Sequence, residues 1–169
     1  MFDVFGEFET LEELNMAAEG LRNEGDNEGL YKLAEENGIE RAEAEMYLVG
    51  AMPMLCCDVA TAAMGKIDVE AAELNPQEKI LDWVNYIKGE CFKNDDMARA
   101  VRRKGKTLKG CLGKLLAWSC NHRYKIHPDI VKAAGEDFKK MAGTQRVEVE
   151  ECTPGEGTAK KLIKEYYLG

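Results

Sequence analysis

The chain has 169 residues, 45% of them hydrophobic, and a formal net charge of -8. This hydrophobic content excludes a disordered chain, and the length suffices for one domain or for a small domain with an appendage. No apolar run reaches the roughly 20 residues that a membrane-spanning helix needs. The acidic start Met1-Phe2-Asp3 is not a signal or transit peptide, so we expect the cytoplasm of the host cell.

The apolar residues are mainly Ala, Leu, Ile and Met, and runs of β-branched residues are scarce. This composition predicts an all-α fold, and we expect a compact domain of about eight short helices with one short strand near 146–150. The predicted parts are an acidic helical subdomain (1–52), a main helical core with a basic patch (53–141), a linker or short strand (142–157) and a C-terminal helix (158–169).

Three helices are predicted in the first fifty residues. Thr10 and Glu13 form a capping box, which places the start of the first helix at Thr10. The second begins near Asp26 or Asn27 and ends at Asn37-Gly38, where Gly38 supplies the left-handed turn. The third covers residues 40–48.

The middle of the chain carries two further helix signals. Pro53 opens a helical stretch that we expect to bend near Gly65 and to resume afterwards. In Asn75-Pro76-Gln77-Glu78, Asn75 is predicted to cap the next helix and Pro76 to take its first position.

Four more helices are predicted towards the C-terminus. Their starts are placed at Asn94, Thr107, Pro128 and Thr158. In the helix after Thr107, Gly110 and Gly113 would let another helix approach closely.

Charge is sorted along the chain. Residues 1–50 hold fourteen acidic side chains against three basic ones, whereas residues 97–128 hold nine basic side chains and no acidic one. An acidic region beside a basic one predicts charged partners and contains no catalytic machinery by itself.

The acidic region includes a helix-turn-helix skeleton over residues 33–48. Its second helix is acidic, so duplex phosphates would repel it. We therefore predict that it binds a basic protein surface, with an acidic helical hairpin that only helps the core as the alternative. The candidate partner-binding residues are Glu35, Glu36, Glu40, Glu43 and Glu45.

The basic stretch predicts an alternative function, which is contact with nucleic acid. Trp118, His122 and Tyr124 would add aromatic side chains that stack on bases. Favourable charges at helix ends, or pairing with the chain's own acidic region, would explain the same residues. The candidate nucleic-acid-binding residues are Arg99, Arg102, Arg103, Lys106, Lys109 and Lys114.

Catalytic and metal-binding patterns are weak. Cys120, His122 and His127 could supply three metal ligands, but no fourth stands at recognisable spacing. No nucleophile has a recognisable setting, and no glycine-rich phosphate loop follows a strand. We expect no enzyme activity, no cofactor and no metal.

Residues 94–131 carry a known pattern. Asn94-Asp95-Asp96-Met97, Ala100, the run 105–112 (Gly-Lys-Thr-Leu-Lys-Gly-Cys-Leu) and a short helix led by Ile126 and Ile130 resemble the PcfK-like family of mobile genetic elements. Some members of that family are anti-CRISPR proteins that inhibit Cas9. The resemblance implies an inhibitor that binds a CRISPR effector nuclease and needs no chemistry of its own.

The sequence therefore favours a non-enzymatic interaction protein of a mobile genetic element. A CRISPR effector such as Cas9 is one candidate partner, contacted through the acidic helices. The alternatives are an accessory nucleic-acid-binding protein that uses residues 99–125, and a plain structural adaptor. The sequence leaves the oligomeric state open.

Overall fold

The computed structural model describes residues 3–135 and 150–169, and these fold mainly as helices, which confirms the all-α prediction. These two ranges contain nine helices and two short strands: α1 (Leu11–Glu24), α2 (Asn27–Glu36), α3 (Arg41–Leu48), α4 (Val59–Leu74), α5 (Glu78–Lys93), α6 (Asp95–Arg102), α7 (Leu108–Asn121), β1 (Tyr124–Lys125), α8 (Pro128–Ala133), β2 (Glu150–Glu151) and α9 (Glu156–Leu168).

The first three helices enclose one hydrophobic core, the first core. Thr10 caps α1 as predicted, and its hydroxyl accepts a hydrogen bond from the backbone N–H of Glu13 at 3.1 Å. Leu55 and Cys56 also lie in this core, so it extends past the predicted boundary at residue 52. Its buried members are Leu14, Ala18, Leu30, Leu33, Ala34, Ile39, Ala44, Tyr47, Leu55, Cys56 and Ala62.

A second core lies between α4, α5, α6, α7 and α9. The central helix α4 serves both cores, since Ala62 belongs to the first and Ala63 to the second. The C-terminal helix α9 is an integral part, because Ala159, Ile163 and Tyr167 are buried in the second core. It begins at Glu156, two residues before the predicted start.

An N-terminal strap, residues 3–9, crosses from the first core to α6. The Glu36 carboxylate accepts hydrogen bonds from the backbone N–H groups of Asp3, Val4 and Phe5 at 3.1, 2.9 and 3.1 Å. Arg102 donates to the Phe8 carbonyl at 2.8 Å. Buried charged side chains thus anchor a segment that would otherwise fray.

The bend predicted at Gly65 is absent, and α4 runs without interruption through that residue. A Cβ atom at position 65 would lie 2.2 Å from the Asn37 carbonyl oxygen. Gly38, whose φ is 65°, lies against the backbone of Gly65. Glycine is therefore needed here because the turn after α2 touches the α4 backbone, a tertiary contact that no local signal contains.

Two predicted helix starts are wrong. The helix expected after Pro53 begins only at Val59, where the Asp58 carboxylate accepts from the Thr61 backbone N–H at 2.7 Å. Asn75 ends α4 in the left-handed region (φ 44°) instead of capping the next helix. Asparagine tolerates that conformation well, so the same residue fits a helix end as readily as a start.

The two strands form a short antiparallel ladder in which Tyr124 faces Glu151 and Lys125 faces Glu150. The strand predicted near 146–150 therefore has one described residue, and the rest of that prediction lies outside the described ranges. Half of the predicted linker, residues 142–149, also lies outside them.

Candidate partner-binding surfaces

The acidic hairpin formed by α2 and α3 presents four of the five predicted partner-binding residues. Glu35 and Glu45 are exposed but already paired, with Lys32 at 2.9 Å and with Arg41 at 3.2 Å. The hydrogen bond from Lys32 lowers the pKa of the Glu35 carboxyl, which keeps it charged.

The other two predicted carboxylates of the hairpin, Glu40 and Glu43, differ in their exposure and hydrogen bonding. Glu43 is half-buried and accepts a hydrogen bond from the Glu40 backbone N–H at 3.2 Å, so it caps α3. Glu40 is exposed at the turn before α3. Of the two, the Glu40 side chain is the better placed for a partner.

The placement of Glu36 on the partner-binding face is corrected by the structure. Its side chain is only 2% exposed, and its carboxylate is occupied by the N-terminal strap. The helical spacing that groups it with Glu35 and Glu40 does not reveal that the chain's first residues cover it.

Further carboxylates of the acidic region lie on α1 and at the start of α2, beyond those of the strap. The three cations of residues 3–56 are all engaged within that region: Arg22 lies over the Tyr47 ring, Lys32 pairs with Glu35, and Arg41 pairs with Glu45 and lies over the Tyr31 ring. Four exposed carboxylates have no hydrogen bond or ion pair within the described residues, namely Glu12, Glu19, Glu24 and Glu28.

The predicted basic patch is divided by the fold. Arg102 is 1% exposed, which corrects its placement on a nucleic-acid-binding face. Its guanidinium donates to the Ala62 carbonyl at 3.0 Å and to the Phe8 carbonyl at 2.8 Å. Lys106 is half-buried, and its amine donates to the Tyr166 carbonyl. Both cations serve the packing of the chain.

Arg99 and Arg103 remain exposed, but they line a groove of about 560 Å³ together with carboxylates. Asp95 lies 3.7 Å from Arg99, and Glu9 of the strap accepts a hydrogen bond from the Lys104 backbone N–H at 3.0 Å. This part of the basic stretch therefore meets the protein's own acidic residues, one of the alternatives that the sequence leaves open.

Lys109 and Lys114 on α7 are exposed, with no ion pair or hydrogen bond in the described part of the chain. Further along, His122 stacks on Trp118 with ring centroids 4.1 Å apart and an interplanar angle of 4°. Tyr124 is 56% exposed. Together with Arg99 and Arg103, these are the predicted basic and stacking groups that the fold leaves accessible.

The fold contains a buried ion pair, Lys66 with Glu70, that was not predicted from the sequence. Lys66 and Glu70 are 3% and 2% exposed on α4, with the amine 3.9 Å from the carboxylate and 3.8 Å from Glu7 of the strap. Burial lowers the pKa of the Lys66 amine and raises the pKa of the Glu70 carboxyl. Opposite charges four residues apart on an apolar helix face are the signal that would have pointed to this pair.

The loop within the family-like run 105–112 is held by this ion pair. Lys66 donates to the Lys106 carbonyl at 3.3 Å, and the Leu108 backbone N–H donates to Glu70. The Thr107 backbone N–H donates to the Tyr166 hydroxyl at 3.1 Å. In this fold the run therefore positions α7 against α4 and α9.

Residues 3–135 and 150–169 contain no group of three side chains placed to hold a metal ion. Across the same ranges, each helix is too short or too polar to span a bilayer.

The chain was compared with known proteins at the level of families, sequences and structures. No protein-family model, curated protein or solved structure matches it. The resemblance of residues 94–131 to the PcfK-like family therefore stays a prediction from the sequence.

Proposed function

We propose that this chain is a non-enzymatic interaction protein whose acidic face binds a basic surface of another protein. The acidic face consists of the exposed carboxylates of α1, α2 and α3. The observation that carries the proposal is that the cations of this region are engaged within it, while Glu12, Glu19, Glu24 and Glu28 keep no partner among the described residues.

A surface of unpaired carboxylates is negatively charged, so it raises the rate of encounter with a positively charged partner and disfavours the binding of nucleic acid. A nucleic-acid enzyme offers such a partner surface, because its substrate channel is basic. The family resemblance suggests a CRISPR effector nuclease such as Cas9 as the first partner to test, in the host cytoplasm where a mobile element would act.

The test is a cleavage assay in which the protein is titrated against a guide-loaded effector nuclease. We expect inhibition by the wild type and a loss of at least tenfold in potency for Glu24→Lys with Glu28→Lys. The matched control is Glu73→Lys with Asp82→Lys, which makes the same charge change at exposed carboxylates outside the acidic face.

Two outcomes decide the proposal. If both double variants weaken inhibition equally, net charge alone explains the loss, and this result would contradict a role for the acidic face. No inhibition of several effector types would reject the nuclease as partner, and a pull-down from a host lysate would then test the broader proposal.

A second candidate function, nucleic-acid binding, is favoured by one observation: Lys109 and Lys114 stay exposed and without ion pairs within the described residues. Binding through phosphates predicts an affinity that falls steeply with salt and is weakened by Lys109→Glu with Lys114→Glu. A gel shift that is absent at low salt would remove this candidate.

A further inference from the structure

Two stacked aromatic rings stand at the end of α7. The His122 imidazole lies flat on the Trp118 indole, with ring centroids 4.1 Å apart and an interplanar angle of 4°. The His122 Nδ1 is 2.8 Å from the Trp118 carbonyl oxygen, and because a carbonyl only accepts, Nδ1 donates and fixes the imidazole. The His122 side chain is exposed and stacks on no other ring of the described residues. A preformed flat ring is therefore open for another ring to stack on.

Two exposed cations come before and after this ring pair in the chain. Lys114, Trp118 and His122 follow one another at intervals of four residues, so they share one side of α7. Arg123 comes directly after His122. Neither Lys114 nor Arg123 has an ion pair or hydrogen bond within residues 3–135 and 150–169. We name these four residues the stacking surface. Lys109 lies on another side of α7, because it is not at helical spacing from Lys114 or Trp118.

The strand β2 places an acidic residue near the end of the stacking surface. Glu151 pairs with Tyr124, the first residue of β1, and a hydrogen bond to its carboxylate raises the pKa of Tyr124. A duplex keeps its bases paired and stacked, so it offers the ring pair no free base and brings many phosphates towards this carboxylate. A single strand offers unstacked bases, each with a phosphate on either side.

We propose that the stacking surface binds single-stranded nucleic acid, with one base on the His122 ring and the flanking phosphates on Lys114 and Arg123. Stacking on aromatic side chains favours the binding of single strands and tolerates every base. The cations before and after the ring pair suit the phosphates on the two sides of that base. This inference rests on the second candidate function, and it adds the kind of nucleic acid and replaces Lys109 by the ring pair.

The probe is a fluorescein-labelled oligothymidylate of twelve nucleotides, titrated with the full chain at low salt and followed by fluorescence anisotropy. Lys114→Glu should weaken binding at least tenfold, whereas Lys109→Glu should weaken it less than threefold. The two variants make the same charge change at exposed, unpaired lysines of one helix, and only Lys114 belongs to the stacking surface. Equal weakening by the two variants would overturn the proposal.

Two further oligomers separate stacking from attraction to phosphate. An abasic strand of twelve nucleotides has the same phosphates without the bases, and it should bind at least tenfold more weakly than oligothymidylate. A duplex of the same length should also bind more weakly, because its bases are paired. If either binds as tightly as oligothymidylate, the lysine and arginine form a general anion site and the proposal fails.

The histidines report where a base stacks. The chain contains only two, His122 and His127, and His127 lies outside the stacking surface at the start of α8. With carbon-13 in the imidazole rings, the ring current of a stacked base should move the His122 signals upfield, and the His127 signals less than half as far. Unmoved His122 signals would contradict the proposal in the wild-type protein, where no substitution disturbs the fold.

A failure of this inference differs from a failure of the second candidate function. No binding of any oligonucleotide at low salt rejects both. If oligothymidylate binds, but Lys109→Glu and Lys114→Glu weaken it equally and the His122 signals do not move, the second candidate function is supported and the stacking surface is rejected.

Discussion

Lys66 and Glu70 show how single residues connect the two halves of this protein. Lys66 bonds to the loop before α7 and faces Glu7 of the strap, while Glu70 bonds to the first residue of α7. Each charge is taken out of water, which is unfavourable, and each is compensated by the other and by backbone groups. Removing one partner should therefore do more harm than replacing both.

Lys66→Met is expected to lower the free energy of unfolding by about 3 kcal/mol, because Glu70 keeps a buried charge without its cation. Lys66→Met with Glu70→Gln should recover part of this loss, since the glutamine oxygen can still accept from the Leu108 backbone N–H. Urea denaturation of the wild type, both single variants and the double variant measures the coupling; additive losses would contradict it.

The same variant has a predictable pH dependence. Burial already raises the folded-state pKa of Glu70 above the usual value of 4.5, and loss of Lys66 raises it further. Between the unfolded-state and folded-state pKa values of Glu70, the folded variant holds a proton on this carboxyl that the unfolded chain has lost. The stability of the variant is therefore retained below the unfolded-state pKa and lost as pH rises through the folded-state pKa. The deficit of Lys66→Met relative to wild type should be smallest near pH 4.5 and grow towards neutral pH.

At the scale of elements, two glycines within helices mark places where another part of the chain packs closely. Gly65 allows the turn after α2 to touch the α4 backbone, and Gly110 on α7 lies against the Tyr166 hydroxyl of α9. The predicted close approach is therefore present at Gly110, whereas Gly113 faces open space. Sequence signals mark a glycine in a helix, but only its neighbours decide whether it is needed.

Gly65→Ala should destabilise the protein by about 3 kcal/mol, because the new methyl group would overlap the Asn37 carbonyl and force two backbones apart. Gly113→Ala is the matched control and should stabilise by up to about 1 kcal/mol through helix propensity. Thermal unfolding of both variants measures the difference. A neutral Gly65→Ala would show that the turn after α2 can move away from α4.

At the scale of the whole molecule, two cores share one helix and one strap. Because α4 contributes Ala62 to the first core and Ala63 to the second, neither core keeps its packing when α4 unfolds. Arg102 reinforces the connection, since it bonds to α4 and to the strap together. The acidic and basic regions are thus joined through buried charges.

This arrangement predicts one cooperative unfolding transition. Both tryptophans lie outside the first core, so tryptophan fluorescence reports on the second half, whereas far-UV circular dichroism reports on all helices. The two signals should give the same urea midpoint. An earlier change in circular dichroism would show that the first core unfolds by itself.

The amino-acid sequence by itself determined the all-α class, the caps at Thr10 and Thr107, the helix starts near Asp26 and Asn94, and the division of charge, because these depend on composition and on residues within one helical turn. Tertiary structure decided which charges are free. Glu36 and Arg102 look like surface residues by spacing, yet the strap buries both.

The packing of residues 47–56 along α1 has the same origin. Asn15 and Met54 are far apart in sequence, and only the antiparallel course of residues 47–56 along α1 brings them together. Local signals identify helices because their hydrogen bonds are local, whereas burial and surface neighbours depend on contacts between residues tens of positions apart. For that reason the sequence predicts an acidic region, and the fold alone shows which of its carboxylates stay exposed.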